Sequence, residues 1–520
     1  MTTVNDFPEV SRIGPARLTE GLEHFPRLDL RAHRQLHGRA PRMSAGDLVR
    51  LAEAVDLRGR GGAAFPFARK LQAVIESART SRSAPAVLVN ATEGEPGSAK
   101  DKMLLTRSPN LVISGALLAA YALGSEEVVI AVADTSVARN SIVAAVQDAR
   151  LGSRLRVVQV PDRFISGEGG ALVRGVNGDV PLPPGRKVRA SDSGIGGRPT
   201  LLSNAETFAQ LAVLATIGPD SYSAVGAPDE PGTVLLTVGG AARYPAVVET
   251  PTGVSLGAVL DLCGADATGG VLVGGYHGMW LPGPSVLNVP VSRSGLASAG
   301  GVLGAGVVLS LGSGTCPLGE VARIASYLAT ESSGQCGPCK LGLPGIARAL
   351  TAVVDGSGGV EALDTARRAA AAVRGRGACG HPDGASRFVL SALNVFTDDL
   401  AAHVFQSSCG RPVLGMLPLP RRPGQLRFSV DWTRCKGHGL CAHLVPELVH
   451  LDRNGYPVFL DGPVPPWLQK EAQQAVEMCP ALALRLGRES KQAPARPAIP
   501  ASRQVLQLPA AQAREPRSLS

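Results

Sequence analysis

The chain has 520 residues, of which 62 are glycine, 40 proline and nine cysteine; that length implies roughly two to four domains, and the Gly/Pro content implies many turns and ligand loops. No stretch reaches the ~18 uninterrupted apolar residues of a membrane span, since the most apolar run, 111–124, is broken by Ser114 and Gly115 and reads as a core helix. The net charge is +9, with about half of the excess in residues 487–520 and no aromatic residues interleaved there, which argues against a nucleic-acid partner.

Residues 1–43 are irregular and rich in Arg, Pro and His, and are expected to wrap a neighbouring surface. The charged start lacks an apolar signal core. Together with cysteines in metal-ligand spacing, it points to a reducing cytoplasm. Ser44 and Asp47 then cap a helix whose apolar residues Leu48, Leu51, Ala52 and Val55 recur at helical spacing.

That helix runs into residues 57–70, Leu-Arg-Gly-Arg-Gly-Gly-Ala-Ala-Phe-Pro-Phe-Ala-Arg-Lys. Gly59, Gly61 and Gly62 free the backbone for φ > 0 and for close approach to a bulky anion. Arg58, Arg60, Arg69 and Lys70 add cationic donors suited to a phosphate or pyrophosphate. Phe65, stiffened by Pro66, offers a flat ring to an aromatic ligand. The spacing Gly59-x-Gly61-x-x-Ala64 fits a dinucleotide fingerprint, but a helix precedes it where that fingerprint needs a strand. The stretch is a helix-to-loop anion site or a flexible basic loop.

A strand over 86–90 leads into 88–102, Leu-Val-Asn-Ala-Thr-Glu-Gly-Glu-Pro-Gly-Ser-Ala-Lys-Asp-Lys, an acidic loop broken by glycines. Together the two stretches resemble the NADH- and FMN-binding subunit of respiratory complex I and its relatives in soluble NAD-linked hydrogenases and formate dehydrogenases. That family carries Gly-Arg-Gly-Gly-Ala-Gly-Phe-Pro followed by Asn-Ala-Asp-Glu-x-Glu-Pro-Gly, and the resemblance runs from about 47 to 405.

Further on, Pro109 opens a helix, 127–133 and 155–160 read as strands, and 137–149 as a helix between them. This alternation gives a parallel sheet, whose ligands lie beyond the carboxyl ends of the strands, where Asn90, the 93–97 loop and the 164–170 loop fall. Residues 164–172, Phe-Ile-Ser-Gly-Glu-Gly-Gly-Ala-Leu, resemble the family's Tyr-x-x-Gly-Glu-Glu-Thr-Ala-Leu. Glu168 keeps the first glutamate and Gly169 replaces the second. Residues 199–207 match Pro-Thr-x-x-Asn-Asn-Val-Glu-Thr, with Ser203 and Glu206 also readable as a helix capping box.

Short β runs over 233–238, 247–249 and 270–273 occupy the place of the family's small β-grasp (SLBB-like) domain. Helices return from 316 to 405, enclosing Ser333, Cys336, Cys339 and, later, Cys379 and His381. The resemblance places a 4Fe–4S cluster here, but Ser333 stands where the first of four cysteines belongs. An oxygen is a harder, weaker iron ligand than thiolate. The options are a Ser-ligated or three-iron cluster, a replacement ligand such as Cys409, no cluster, or a Cys₃His zinc site that includes His381. A proline-rich linker follows, and then Cys435, His438, Cys441 and the remote Cys479-Pro480, the bacterial ferredoxin pattern with histidine at its middle position. It resembles the single-cluster (3Fe–4S or 4Fe–4S) ferredoxins of actinobacteria that feed haem-thiolate monooxygenases. The Pro/Ala/Gln-rich end looks disordered.

The expected architecture is α/β: an N-terminal extension (1–43), a Rossmann-like parallel-sheet FMN/NAD(P)H domain (44–228), a β-grasp domain (229–300), a helical iron–sulfur domain (301–410), a linker (411–425), an α+β ferredoxin domain (426–487) and a tail (488–520). The resemblance implies FMN contacts at Gly59, Arg60, Gly61, Gly62, Lys70, Asn90, Glu93, Glu168 and Asn204. It implies nicotinamide contacts at Phe65 and Glu95, with Glu95 and Glu168 nearest the chemistry. Clusters are expected on Cys336, Cys339 and Cys379, and on Cys435, Cys441 and Cys479. Thr92 replaces the family aspartate near the flavin, and the loss of a carboxylate at Gly169 lowers repulsion towards a 2′-phosphate and makes NADPH conceivable. The implied function is transfer of electrons from NADH or NADPH through FMN to the fused ferredoxin and then to an external acceptor protein, within a homo- or hetero-oligomer or alone. The alternative is a docking protein whose flavin module no longer oxidises nicotinamide.

Overall fold

The computed structural model describes residues 9–488 apart from 134–135, 186–187, 421–425, 453, 460–463 and 465–467. The basic tail beyond 488 and the linker residues 421–425 lie outside the described residues. No single helix among the described residues is long and apolar enough to cross a membrane.

Strand Ala86–Ala91 lies between the parallel strands Glu127–Ala133 and Thr200–Asn204, with Leu155–Val160 on the far edge. Both faces of the two inner strands Ala86–Ala91 and Glu127–Ala133 are covered, which is why they read as largely apolar runs. Val87 and Val89 enter a core with helices Pro109–Leu123 and Ala205–Ser223, while Ala86 and Leu88 face Val129, Ala131 and Leu172 on the opposite side. The two helices cross so closely that a Cβ at Gly115 would lie 1.8 Å from the Phe208 carbonyl oxygen.

The strands expected at 86–90, 127–133 and 155–160 are present, as are helices Ala45–Ala54, with Ser44 at its N-cap, and Ser136–Asp148. The fourth strand corrects the capping box expected at Ser203. Ser203 pairs with Val89 in the ladder and its hydroxyl is buried without a partner, so the cap moves to Asn204, which accepts from the Glu206 amide at 3.0 Å.

A second, six-stranded mixed sheet runs Val10–Arg12, Ala246–Pro251, Thr233–Gly240, Val307–Ser310, Val271–Val273, Met279–Leu281. It takes an edge strand from the N-terminal extension and an inner strand from beyond residue 300, so boundaries at 43 and 300 cut through it. The extension is tied down by buried Glu249, which accepts from the amides of Arg17, Leu18 and Thr19 at 2.9–3.1 Å.

Five helices, Pro317–Thr330, Leu343–Val354, Gly359–Ala372, His381–Val395 and Thr397–Gln406, pack into a third core around Phe388, Leu328 and Ile346. The last domain pairs Leu426–Val430 with Leu484–Arg488 and Val449–Leu451 with Pro457–Phe459 over helix Gln469–Glu477. It rests on the helical domain through the Arg348 guanidinium, which donates to the Pro446 carbonyl.

Candidate functional site

A cavity of about 430 Å³ opens beyond the carboxyl ends of strands Ala86–Ala91 and Thr200–Asn204, where ligands of parallel sheets bind. Its volume is within the range of about 300–1,000 Å³ typical of small-molecule sites. The glycine loop forms one wall, the acidic loop and the 164–168 loop the next, and Gly274, His277, Gly304 and His381 close it.

The glycine loop is pinned at its neck by an antiparallel bridge between Arg58 and Pro66 and by the Gly59 amide donating to the Phe65 carbonyl at 3.0 Å. Gly62 takes φ +99°, a conformation that L side chains rarely adopt. A Cβ at Gly61 would sit 3.3 Å from that of Asn204. Gly61, Gly62 and Arg60 line the cavity, whereas Gly59 lies on a smaller neighbouring one.

Two expected contacts, Phe65 and Lys70, lie outside the cavity, and Arg60 lines it with its guanidinium turned away. The Arg60 guanidinium is buried against Glu230 at 3.0 Å and Glu206 at 4.0 Å. Lys70 donates to the Leu202 carbonyl at 3.0 Å, and Phe65 and Lys70 line a separate depression. The pairing of Arg60 with Lys70 on one phosphate is thus not what the fold assembles. Lys70 lies in the first turn of helix Phe67–Ser81, whose inward face packs on the sheet, and Arg60 is drawn to the two buried carboxylates.

Lys100 takes the inner position. Its Nζ lies 2.9 Å from Asp101, 3.0 Å from Asn204 Oδ1 and 3.1 Å from Glu206. Burial opposes its charge, but Asp101 and Glu206 hold its pKa above the ordinary lysine value. Asn204 Nδ2 donates to Asp101 at 2.5 Å, and Asn90 Nδ2 bridges to the Gly167 carbonyl at 3.0 Å.

Each acidic residue has a local duty. Glu93, at φ +41°, accepts from Ser98 Oγ at 2.6 Å and from the amides of Asp101 and Lys102 at 2.9 and 2.7 Å, capping helix Lys100–Arg107. Glu168 caps helix Gly169–Val176 through the Ala171 amide at 2.8 Å. Glu95 accepts from the Tyr276 amide at 2.8 Å, and burial pushes its pKa up to about 7. The lining combines glycine backbone, the Asn90 and Asn204 carboxamides and the Thr92 and Ser98 hydroxyls with the Lys100 ammonium, the carboxylates of Glu93, Glu95, Asp101 and Glu168, and the His277 and His381 imidazoles. At Gly94, Gly274 and Gly304 a Cβ would come within 2.4–2.7 Å of backbone atoms, and this lining fits a flavin mononucleotide.

The cavity abuts the cysteine loops. The Phe164 amide donates to Glu331 Oε2 at 2.9 Å, and Gly380 and His381, which follow Cys379, line the cavity. Cys336 Sγ lies 3.6 Å from Cys339 Sγ, and Ser333 Oγ 3.8 Å from the latter. Cys379 is near enough for its thiol to feel both. Three sulfurs and one hydroxyl therefore converge, which fits an iron–sulfur cluster with oxygen at one corner or one iron missing.

Two of the alternatives are corrected. Cys409 lies with Cys316 at the opposite end of helix Pro317–Thr330, about 21 Å away at 1.5 Å per residue. His381 spends Nδ1 on His277 at 3.0 Å and Nε2 on the Leu328 carbonyl at 2.8 Å, leaving no nitrogen for zinc. Ser333→Cys is expected to raise the iron and acid-labile sulfide content of the purified protein by completing the thiolate set; unchanged iron would count against a cluster here.

In the last domain Cys435, Cys441 and Cys479 are half-buried and close enough to influence one another, and burial and the two neighbouring thiols push the Cys441 pKa up. His438, the middle position, is exposed. Sequence reasoning missed Lys100, although it directly follows the acidic loop. It also missed His277 and Arg387, which line the cavity and which no local pattern marks.

Residues 52–213 match the Nuo51 FMN-binding domain, 319–403 the NADH-ubiquinone oxidoreductase-F iron–sulfur binding region, and 428–486 the 4Fe–4S single cluster domain. The chain is 29% identical over 389 residues to the NADH-quinone oxidoreductase F subunit of Streptomyces coelicolor, covering 71% of this chain and 85% of that protein. It is 25% identical over 423 residues to the NADP-reducing hydrogenase subunit HndC of Solidesulfovibrio fructosivorans, covering 78% and 84%. Among solved structures, an NAD+-reducing NiFe-hydrogenase in the H2-reduced state superposes with TM-score 0.68 at 26% identity, covering 86% of this chain and 73% of that one.

Proposed function

We propose that this chain, which carries an FMN-binding domain followed by two iron–sulfur domains, is an NAD(P)H dehydrogenase that delivers electrons through its own single-cluster domain to an external one-electron acceptor, such as a haem-thiolate monooxygenase. The observation that carries it is the contact of the cavity with the cysteine loops, through Phe164 and Glu331 and through Gly380 and His381. Bound FMN supplies the exchange between a two-electron donor and one-electron acceptors.

The chain's own residues place and polarise. Gly61, Gly62, Asn90, Asn204 and Lys100 form the bed for the cofactor. Glu95 and Glu168 stand on the side where a nicotinamide dinucleotide enters, and the low carboxylate count at Thr92 and Gly169 tolerates a 2′-phosphate. A cytoplasmic location suits the free thiols.

The test is anaerobic: the purified protein's flavin absorption is bleached by NADH or NADPH, and the extracted flavin is FMN. Extraction of FAD, or failure to take up FMN on reconstitution, would sink the reading. The position of Phe65 outside the cavity favours a second reading, a docking protein whose flavin is not reduced by nicotinamide; an unbleached, FMN-loaded protein would establish that one.

Glu95 gives the site a pH dependence. Its folded pKa of about 7 exceeds the unfolded value of about 4.3. The stabilisation that protonation provides is therefore present below the unfolded value and is lost as pH rises through 7. Ionisation also adds a negative charge beside an anionic dinucleotide. KM for NADH is expected to rise several-fold between pH 6 and 8 at constant ionic strength, and Glu95→Gln to flatten that profile at the low-pH value. An unaltered profile in the variant would assign the titration to another group.

A further inference from the structure

Away from the cavity and both cysteine motifs, Cys316, His403 and Cys409 bring their donor atoms within 4.8 Å of one another, with Cys316 Sγ 3.2 Å from His403 Nε2. They come from separate places: Cys316 is the N-cap of helix Pro317–Thr330, His403 is in the last turn of Thr397–Gln406, and Cys409 follows the left-handed residue Ser407. Cys316 and His403 are buried and Cys409 is half-buried, so the group is enclosed except on the Cys409 side.

We propose that these three side chains bind a single zinc ion. Two sulfurs and an imidazole nitrogen are zinc donors, and ligands of a tetrahedral ion with bonds of about 2.0–2.3 Å stand roughly 3–4 Å apart, close to the separations present. The Gly319 amide donates to Cys316 Sγ at 3.3 Å, so the sulfur already faces the first turn of its helix. The Val354 carbonyl lies near the His403 ring without meeting hydrogen-bond geometry. A small ring adjustment lets Nδ1–H donate to it and presents the Nε2 lone pair to the ion. Water on the open Cys409 side completes the tetrahedron, and the two thiol protons leave to solvent as the ion enters.

The ion fastens a particular stretch of chain. Beyond Cys409 the backbone is stitched to the same helix end. The Cys316 amide donates to the Pro412 carbonyl at 2.8 Å, Leu414 donates to Thr315 Oγ1 at 3.1 Å, and Gly415 and Met416 donate to buried Glu320 at 2.6 and 3.0 Å. A zinc ion at residue 409 anchors the start of this strap, which leads to the single-cluster domain.

The full-length protein, purified from zinc-supplemented expression with flavin and iron in place, is expected to contain one zinc ion per chain by elemental analysis. Cys409→Ser and, independently, His403→Gln are expected to lose it with iron and flavin content unchanged. Cobalt(II) in its place should show thiolate-to-metal charge-transfer absorption that the Cys409→Ser protein lacks. Zinc absent from the wild-type protein, zinc retained in both variants, or a mass two units low from a Cys316–Cys409 disulfide would each overturn the assignment.

Discussion

Gly61→Val is expected to yield protein purified without flavin and unable to take up FMN. The position is tight: a Cβ already comes 3.3 Å from Asn204 Cβ, and valine adds two methyl groups beyond it. Asn204 is the joint of the site, accepting from Lys100 Nζ at 3.0 Å and donating to Asp101 at 2.5 Å. Displacing it removes a hydrogen-bond partner from the buried Lys100 and Asp101, and leaving buried polar groups unsatisfied costs about 1–3 kcal/mol. The same methyl groups occupy the wall of the cavity itself. Two independent penalties therefore fall on one substitution. Gly61→Ala, with a single methyl at the edge of contact, is expected to weaken FMN affinity without abolishing it. Fluorescence titration with FMN reads both variants, with circular dichroism and iron content as checks on folding. Stoichiometric FMN in the valine protein would place the flavin somewhere other than this cavity.

The parallel sheet was legible because strands buried on both faces must be apolar along their length, as in residues 86–91. The strand Thr200–Asn204 was not, because its Thr, Ser and Asn imitate a helix start and only the ladder to Ala86–Ala91 identifies it. Val10–Arg12 and Val307–Ser310 are three and four residues long and pair with partners far along the chain; no local periodicity marks such strands. The site divides in the same way. The glycine and acidic loops declare themselves by backbone requirements that only glycine meets or by carboxylates at a strand end. Which cation faces inward does not, since Lys70 and Lys100 both sit in first turns and only the packing of their helices separates them. His277 and His381 meet across 104 residues with nothing in sequence to pair them.

Cys441→Ala is expected to leave bleaching of the flavin by nicotinamide intact while lowering electron delivery to a one-electron haem acceptor, read with cytochrome c, by two orders of magnitude or more. Cys441 lies in the first turn of helix Leu440–Leu444, half-buried with Cys435 and Cys479 as neighbours. Its loss leaves two thiolates, one short of the three that hold even a three-iron cluster, and the exposed His438 offers only a weaker imidazole in their place. The prediction depends on the single-cluster domain being the exit. That domain is held on the same chain, with local concentration of roughly millimolar for a short tether. It touches helix Leu343–Val354, which follows Cys339, through Arg348 and Pro446. Arg348→Ala is therefore expected to slow delivery without changing cluster content, separating docking from cluster loss. Rapid mixing with NADH decides between relay and mere tethering: in a relay the domain's cluster is reduced within the first turnover. If the flavin is reduced while that cluster stays oxidised through many turnovers, electrons leave by another route. Cys441→Ala would then have no effect on cytochrome c, and the appended domain would serve to dock a partner.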